Sequence, residues 1–153
     1  MDLARRTARL GDMKTGASTR PLPHAACAVL TAQQALTGGK VDGLVFPPSR
    51  GDGTMSGFAG FMARIVNLAD LPPEITAHVL RQSFASVAAD LELSEVTIAS
   101  LIGHKGGGIT RRYIHSADTV LLAAADKVAG EVAWQMGEAP PEGQVVQLTP
   151  RGA

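Results

Sequence analysis

A chain of 153 residues, 45% apolar and 18% charged, carries enough material for one hydrophobic core, at about 100–200 residues per domain, and is not a wholly disordered polymer. Its one cysteine excludes a disulfide framework and a cysteine-rich zinc module and suits a reducing, cytoplasmic setting; no signal peptide and no apolar run near the ~20 residues of a membrane span is visible. Fourteen basic and 14 acidic side chains cancel, which argues against an unspecific polyanion binder and leaves room for a focused basic site.

The cancellation hides an asymmetry. Residues 1–20 carry five basic and two acidic side chains, whereas residues 117–153 carry two basic and five acidic ones. In chain order, strands come first and helices afterwards, an α+β arrangement. Residues 6–13 and 18–22 flank Lys14-Thr15-Gly16-Ala17 and read as an antiparallel β-hairpin with Lys14 near its tip, Gly16 being able to take the positive φ of a tight turn. Pro23 suits the first turn of a helix through Leu36, closed by Gly38-Gly39. Residues 43–48 form a strand or an ordered loop, and the glycine-rich stretch 49–57 an exposed loop. Ser56 is expected to cap a helix whose Phe58, Phe61, Met62, Ile65 and Leu68 repeat at helical spacing and are expected to enter the core.

After Pro72-Pro73, Thr76 is placed to N-cap a helix from about residue 77 to 91, with Leu80, Phe84, Val87 and Leu91 on one face. His78 and Arg81, spaced i, i+3, fall together away from that stripe and near the helix start, where unpaired N–H groups and the helix dipole favour an anion. An imidazole and a guanidinium at such a place make a phosphate-sized pocket, although His-x-x-Arg alone is more often solvated surface. Residues 90–94 break the helix, Ser94 and Glu95 start another to Ile102, and Gly103 ends it, leaving His104 just beyond. A short glycine run follows, then Ile109-Thr-Arg-Arg-Tyr-Ile-His with the chain's one tyrosine, Tyr113. Asp118 begins a last helix to about Met136 with Leu121, Ala125, Val128 and Val132 on one stripe, and residues 137–153 read as a disordered tail.

Three features occur in one order: His78-x-x-Arg81 followed by Ser-Phe-Ala-Ser, then Leu-Ile-Gly-His ending at His104, then Tyr113-Ile-His, nine residues after His104. Upstream stands Gly-Asp-Met-Lys-Thr-Gly-Ala-Ser-Thr-Arg-Pro-Leu-Pro with Lys14. Together they resemble the catalytic domain of the tyrosine recombinases, the phage-integrase family of DNA strand-exchange enzymes, over roughly residues 7–134. The resemblance implies that Tyr113 attacks a scissile phosphate to give a 3′-phosphotyrosyl link and a free 5′-hydroxyl. It also implies that Arg81 clamps the phosphate, that His78 and His104 donate to it or move the nucleophile's proton, and that Lys14 protonates the leaving oxygen. No cofactor is implied. The implied partners are double-stranded DNA and, in full-length members, further copies forming a tetramer on two duplexes; no membrane is involved, and the setting is the cytoplasm, at the nucleoid when DNA is bound.

The chain departs from the pattern in one respect. The family has a second clamp arginine in a helix before the sheet, and Met1 is read as starting beyond it; Arg5, Arg6 and Arg9 do not match that motif. Residues 1–136 are therefore expected to be an N-terminally truncated catalytic domain, crippled by the loss of one charge stabiliser, which typically costs about 10²–10³ in rate. Three histidines, His78, His104 and His115, lack the further ligands of a familiar zinc set. Other readings are a non-catalytic DNA-binding module built on a helix-turn-helix from the helices near 77–91 and 94–102, and the related type IB topoisomerase chemistry. The last helix is expected either to close its own core or to dock on a neighbouring protomer.

Overall fold

The computed structural model describes residues 1–11, 18–38, 43–48, 51, 53–104 and 118–138. Within them the order is β1 (Thr7–Leu10), β2 (Ser18–Pro21), α1 (His24–Leu36), α2 (Phe58–Leu68), α3 (Ala77–Asp90), α4 (Glu95–Ile102) and α5 (Asp118–Gln135). The α+β class expected from the sequence is what forms.

β1 and β2 are antiparallel, with Thr7 opposite Pro21, Ala8 opposite Arg20, Arg9 opposite Thr19 and Leu10 opposite Ser18. Both strands are shorter than the sequence suggests, and a turn explains the near end. Proline at position 21 has no N–H to give, and Thr7 instead exchanges both backbone bonds with Asp2, each at 2.9 Å. The chain reaches Asp2 through a tight turn in which Arg6, at φ 53°, occupies the left-handed region and donates its N–H to Leu3. One further bond, from the Leu22 N–H to the Arg6 carbonyl at 2.7 Å, extends the hairpin past the proline.

The helices share a way of stopping. After α2, α3, α4 and α5 the chain turns left-handed at Asp70 (φ 51°), Glu92 (φ 59°), Gly103 (φ 71°) and Gly137 (φ 83°). In each case that residue's N–H returns to a carbonyl three positions back, and the next N–H to one five back, as in Leu93 to Ala88 at 3.1 Å and His104 to Ala99 at 2.8 Å. This double bond satisfies two of the carbonyls that every helix end leaves over. Lys127 adds a third acceptor contact on α3, its Nζ donating to the Leu91 carbonyl at 3.2 Å.

The core is narrow. Its buried apolar residues among those described are Ala8, Val66, Ala88, Leu101, Ala124, Ala125 and Val128. Leu101, Ala124 and Ala125 form the centre, with Phe84, Leu93 and Leu121 packed on it. α5 closes this centre in cis, against α1, α3, α4 and β2, using the Leu121, Ala125, Val128 stripe read from the sequence. One side chain of α5 also ties the hairpin and α1 to this last helix. Asp126 accepts from Arg6 Nη2 at 2.8 Å through one oxygen and from the His24 N–H, at the start of α1, at 2.9 Å through the other.

Three sequence expectations are corrected. The helical stripe of α2 does not enter the core: Phe58, Phe61, Ile65 and Leu68 are each more than half exposed, and Val66, on another face, is the buried residue. Helical spacing reports an apolar stripe, and the stripe needs a neighbouring element before it becomes interior. The N-cap of α2 is Gly57, left-handed at φ 87° and without a side-chain bond, in place of Ser56. Leu80, placed on the core stripe of α3, is also more than half exposed; Phe84 carries that helix's packing. Residues 43–48 take the loop option. The tail beyond residue 138 lies outside the described residues, as does the hairpin turn 12–17.

Two outcomes follow. Asp126→Ala removes the acceptor of two bonds, one from a guanidinium whose side chain is only 15% exposed, and is expected to cost about 2 kcal/mol, read as a lower urea midpoint with an unchanged slope. Glu92→Gly relieves a left-handed conformation costing about 1–2 kcal/mol in L-residues and, after the glycine's extra chain entropy, is expected to raise stability by about 0.5–1 kcal/mol in the same measurement.

Candidate functional site

α3 owes its start to Pro72-Pro73, which block helix, and to Thr76, whose Oγ1 accepts from the Val79 N–H at 3.4 Å. That cap fixes where the helix axis begins and therefore which way its first turns face. His78 and Arg81 stand one turn apart on this segment, both exposed, and neither side chain makes a hydrogen bond or ion pair with another described residue. The pair presents an imidazole and a fork of five N–H donors to solvent at the positive end of a helix. Ser83 and Ser86, in the Ser-Phe-Ala-Ser run, fold back onto their own helix, donating to Val79 at 3.1 Å and Gln82 at 3.2 Å. Phe84 between them turns inward and anchors α3 to the core.

α4 begins at Ser94, whose Oγ accepts from the Thr97 N–H at 3.3 Å, and it packs against both α3 and α5. It ends at Gly103, and His104 follows, exposed, its N–H held by Ala99. The structure thus joins His78 and Arg81 on one helix and sets the helix that delivers His104 against it. Lys14 and Tyr113 lie outside the described residues, as does His115. Among the described residues no group of three or more His, Cys, Asp or Glu is placed to hold a metal ion.

Arg20 stands in the hairpin motif with no role that the motif assigns to it. It is half-buried on β2, and its guanidinium crosses to the end of α4, donating to the carbonyls of Ser100 at 3.5 Å and Gly103 at 3.4 Å. Nothing local in the sequence announces this, because Ser100 lies 80 positions away in the chain. Arg6, in contrast, is occupied by Asp126.

A cavity of about 460 Å³ lies between the first residues, α1 and the loop at 43–45, lined by Leu3, Leu30, Gln34 and Leu44 among others; His78, Arg81 and His104 are not among its described lining residues. No helix among the described residues is long and apolar enough to cross a membrane.

Thr76→Ala is expected to lower global stability by about 1 kcal/mol and to speed amide exchange in the first turn of α3, at residues 77–79, more than elsewhere in that helix; exchange measured by NMR checks this.

No curated protein and no solved structure matches the chain. A protein-family model does: that of the phage integrase family, over residues 1–119.

Proposed function

Because the chain belongs to the phage integrase family, a family of tyrosine-type, site-specific DNA recombinases, we propose that it carries a DNA strand-cleaving and rejoining site made of Tyr113, Arg81, His78, His104 and Lys14. The observation that carries the proposal is the presentation of His78 and Arg81, side by side and exposed on the first turns of α3, within a chain matched by that family.

Cleaving a phosphodiester with a protein nucleophile needs an attacking oxygen, charge stabilisers on the non-bridging oxygens, and an acid for the leaving alkoxide. Tyr113 Oη forms the new bond to phosphorus while the bond to the 5′-oxygen breaks. The phenol, with a pKa of about 10, is only ~0.1% ionised at pH 7, so a neighbouring base has to take its proton or a cation has to stabilise the phenolate. His78 or His104 takes that part or donates to the phosphate. Arg81, permanently charged and planar, spans two phosphate oxygens as no lysine can. Lys14, in the connection between β1 and β2, delivers a proton to the departing 5′-oxygen. The phosphotyrosyl ester keeps the energy of the broken bond, so the 5′-hydroxyl of another strand reverses the step.

The substrate is double-stranded DNA, and its affinity is expected to fall steeply with salt as phosphate contacts are screened. The tetramer that the family resemblance implies belongs to the same proposal.

Incubation with nicked duplex DNA is expected to give a covalent protein–DNA adduct that Tyr113→Phe abolishes. Arg81→Lys is expected to slow adduct formation by about 10²–10³ while DNA retention on a gel changes little. DNA retention with no adduct at any time in the wild type overturns the cleavage reading in favour of a DNA-binding module.

A further inference from the structure

We propose that Arg20 is the positioning residue of His104. The inference rests on the reading of His104 as a phosphate or proton contact, and its geometry comes from the end of α4.

His104 has no helix of its own to orient it. What fixes its backbone is the turn that stops α4: Gly103 bends left-handed at φ 71°, its N–H reaches Ser100 at 3.3 Å, and the His104 N–H reaches Ala99 at 2.8 Å. Arg20 grips this turn from outside. One guanidinium nitrogen donates to Ser100, the acceptor that already receives Gly103, and another donates to the Gly103 carbonyl. That carbonyl belongs to the peptide group joining Gly103 to His104, so its direction sets the plane from which His104 departs. A permanent cation also sits favourably on the negative end of a helix, and a planar fork holds two carbonyls where a lysine holds a point.

The turn and the guanidinium fit only as a pair. A Cβ built on Gly103 would lie within the Arg20 guanidinium, and the positive φ would strain any other residue there in addition. Glycine in Leu-Ile-Gly-His therefore serves both the backbone turn and the seat of the arginine above it. Arg20 also belongs to β2, the outgoing strand of the hairpin whose connection contains Lys14, and it sits opposite the buried Ala8. One side chain thereby couples the strand pair that carries one proposed proton donor to the helix that delivers another. Arg20 faces α4 and is not proposed to touch DNA.

The test uses proton–carbon spectra of the histidine rings in the full chain, with His104 assigned through His104→Asn. In Arg20→Ala the His104 resonance is expected to move while those of His24 and His78 stay in place, and Arg20→Lys is expected to restore it in part. Gly103→Ala, which displaces the guanidinium without deleting it, is expected to move His104 in the same way. Should Arg20→Ala fail to fold, Arg20→Gln, shorter and uncharged, carries the same expectation. A folded Arg20→Ala or Arg20→Gln in which His104 is unmoved, or in which His24, His78 and His104 all move alike, overturns the proposal. At saturating nicked DNA, Arg20→Gln is expected to slow adduct formation on the order of 10–100-fold with unchanged half-saturation. If His104 moves as expected and the wild type forms no adduct, the cleavage reading fails and the positioning role stands. If the wild type forms the adduct and His104 stays unmoved in the variants, the cleavage reading stands and the positioning role fails.

Discussion

One carboxylate holds the first elements of this fold to the last. Asp126 lies on α5, and its two oxygens are divided between the Arg6 guanidinium and the backbone N–H at the start of α1. The first bond anchors the turn that precedes β1, in which Arg6 takes a conformation unfavourable to an L-residue. The second satisfies an orphan donor at a helix start that has no side-chain cap of its own, since Pro23 occupies that position. Hairpin, α1 and α5 are fixed to one another by this node, and so is the strand from which Arg20 reaches α4. The asymmetry of a basic front and an acidic rear thus has an internal component: at least one charge of each sign is paired with the other inside the fold.

Around that node the packing is thin. Most of the buried side chains among the described residues are alanine or valine, which bring little apolar area each, and the larger Phe84, Leu93 and Leu121 are only partly covered. Order in such a fold depends on backbone closure as much as on volume filling. The repeated helix stop serves that need, because it secures the last turn of each helix without demanding a large neighbour. At Asp70 it is made with a residue type that tolerates a left-handed backbone, and at Glu92 with one that has no preference for it.

What was legible in the sequence was legible for local reasons. Thr76 and Ser94 cap as expected because an N-cap is decided within four residues, and Gly103 ends α4 because only the backbone at that point is at issue. The stripe of α5 went inward as its spacing suggested, whereas the equally regular stripe of α2 did not: the difference lies in which elements happen to lie alongside, and no single helix contains that information. Glu92 and Asp70 gave no hint of a left-handed turn. For the candidate site, residue types and order singled out His78, Arg81 and His104 as candidates, and the structure adds their exposure and the elements that carry them. Arg20 escaped notice because its partners are the carbonyls of a distant helix end, and carbonyls leave no mark in a sequence.

The boundary of the family match has a consequence for how this fold is made. The match stops at residue 119, at the head of α5, yet Ala124, Ala125, Val128 and the carboxylate of Asp126 all lie beyond it. On the ribosome, the hairpin and α1 emerge early and stay without the surface they are built to meet. They remain so until the last helix has cleared the exit tunnel. Closure of the core therefore waits for α5, and until that helix is in place the hairpin and α1 are the parts most open to proteases and chaperones.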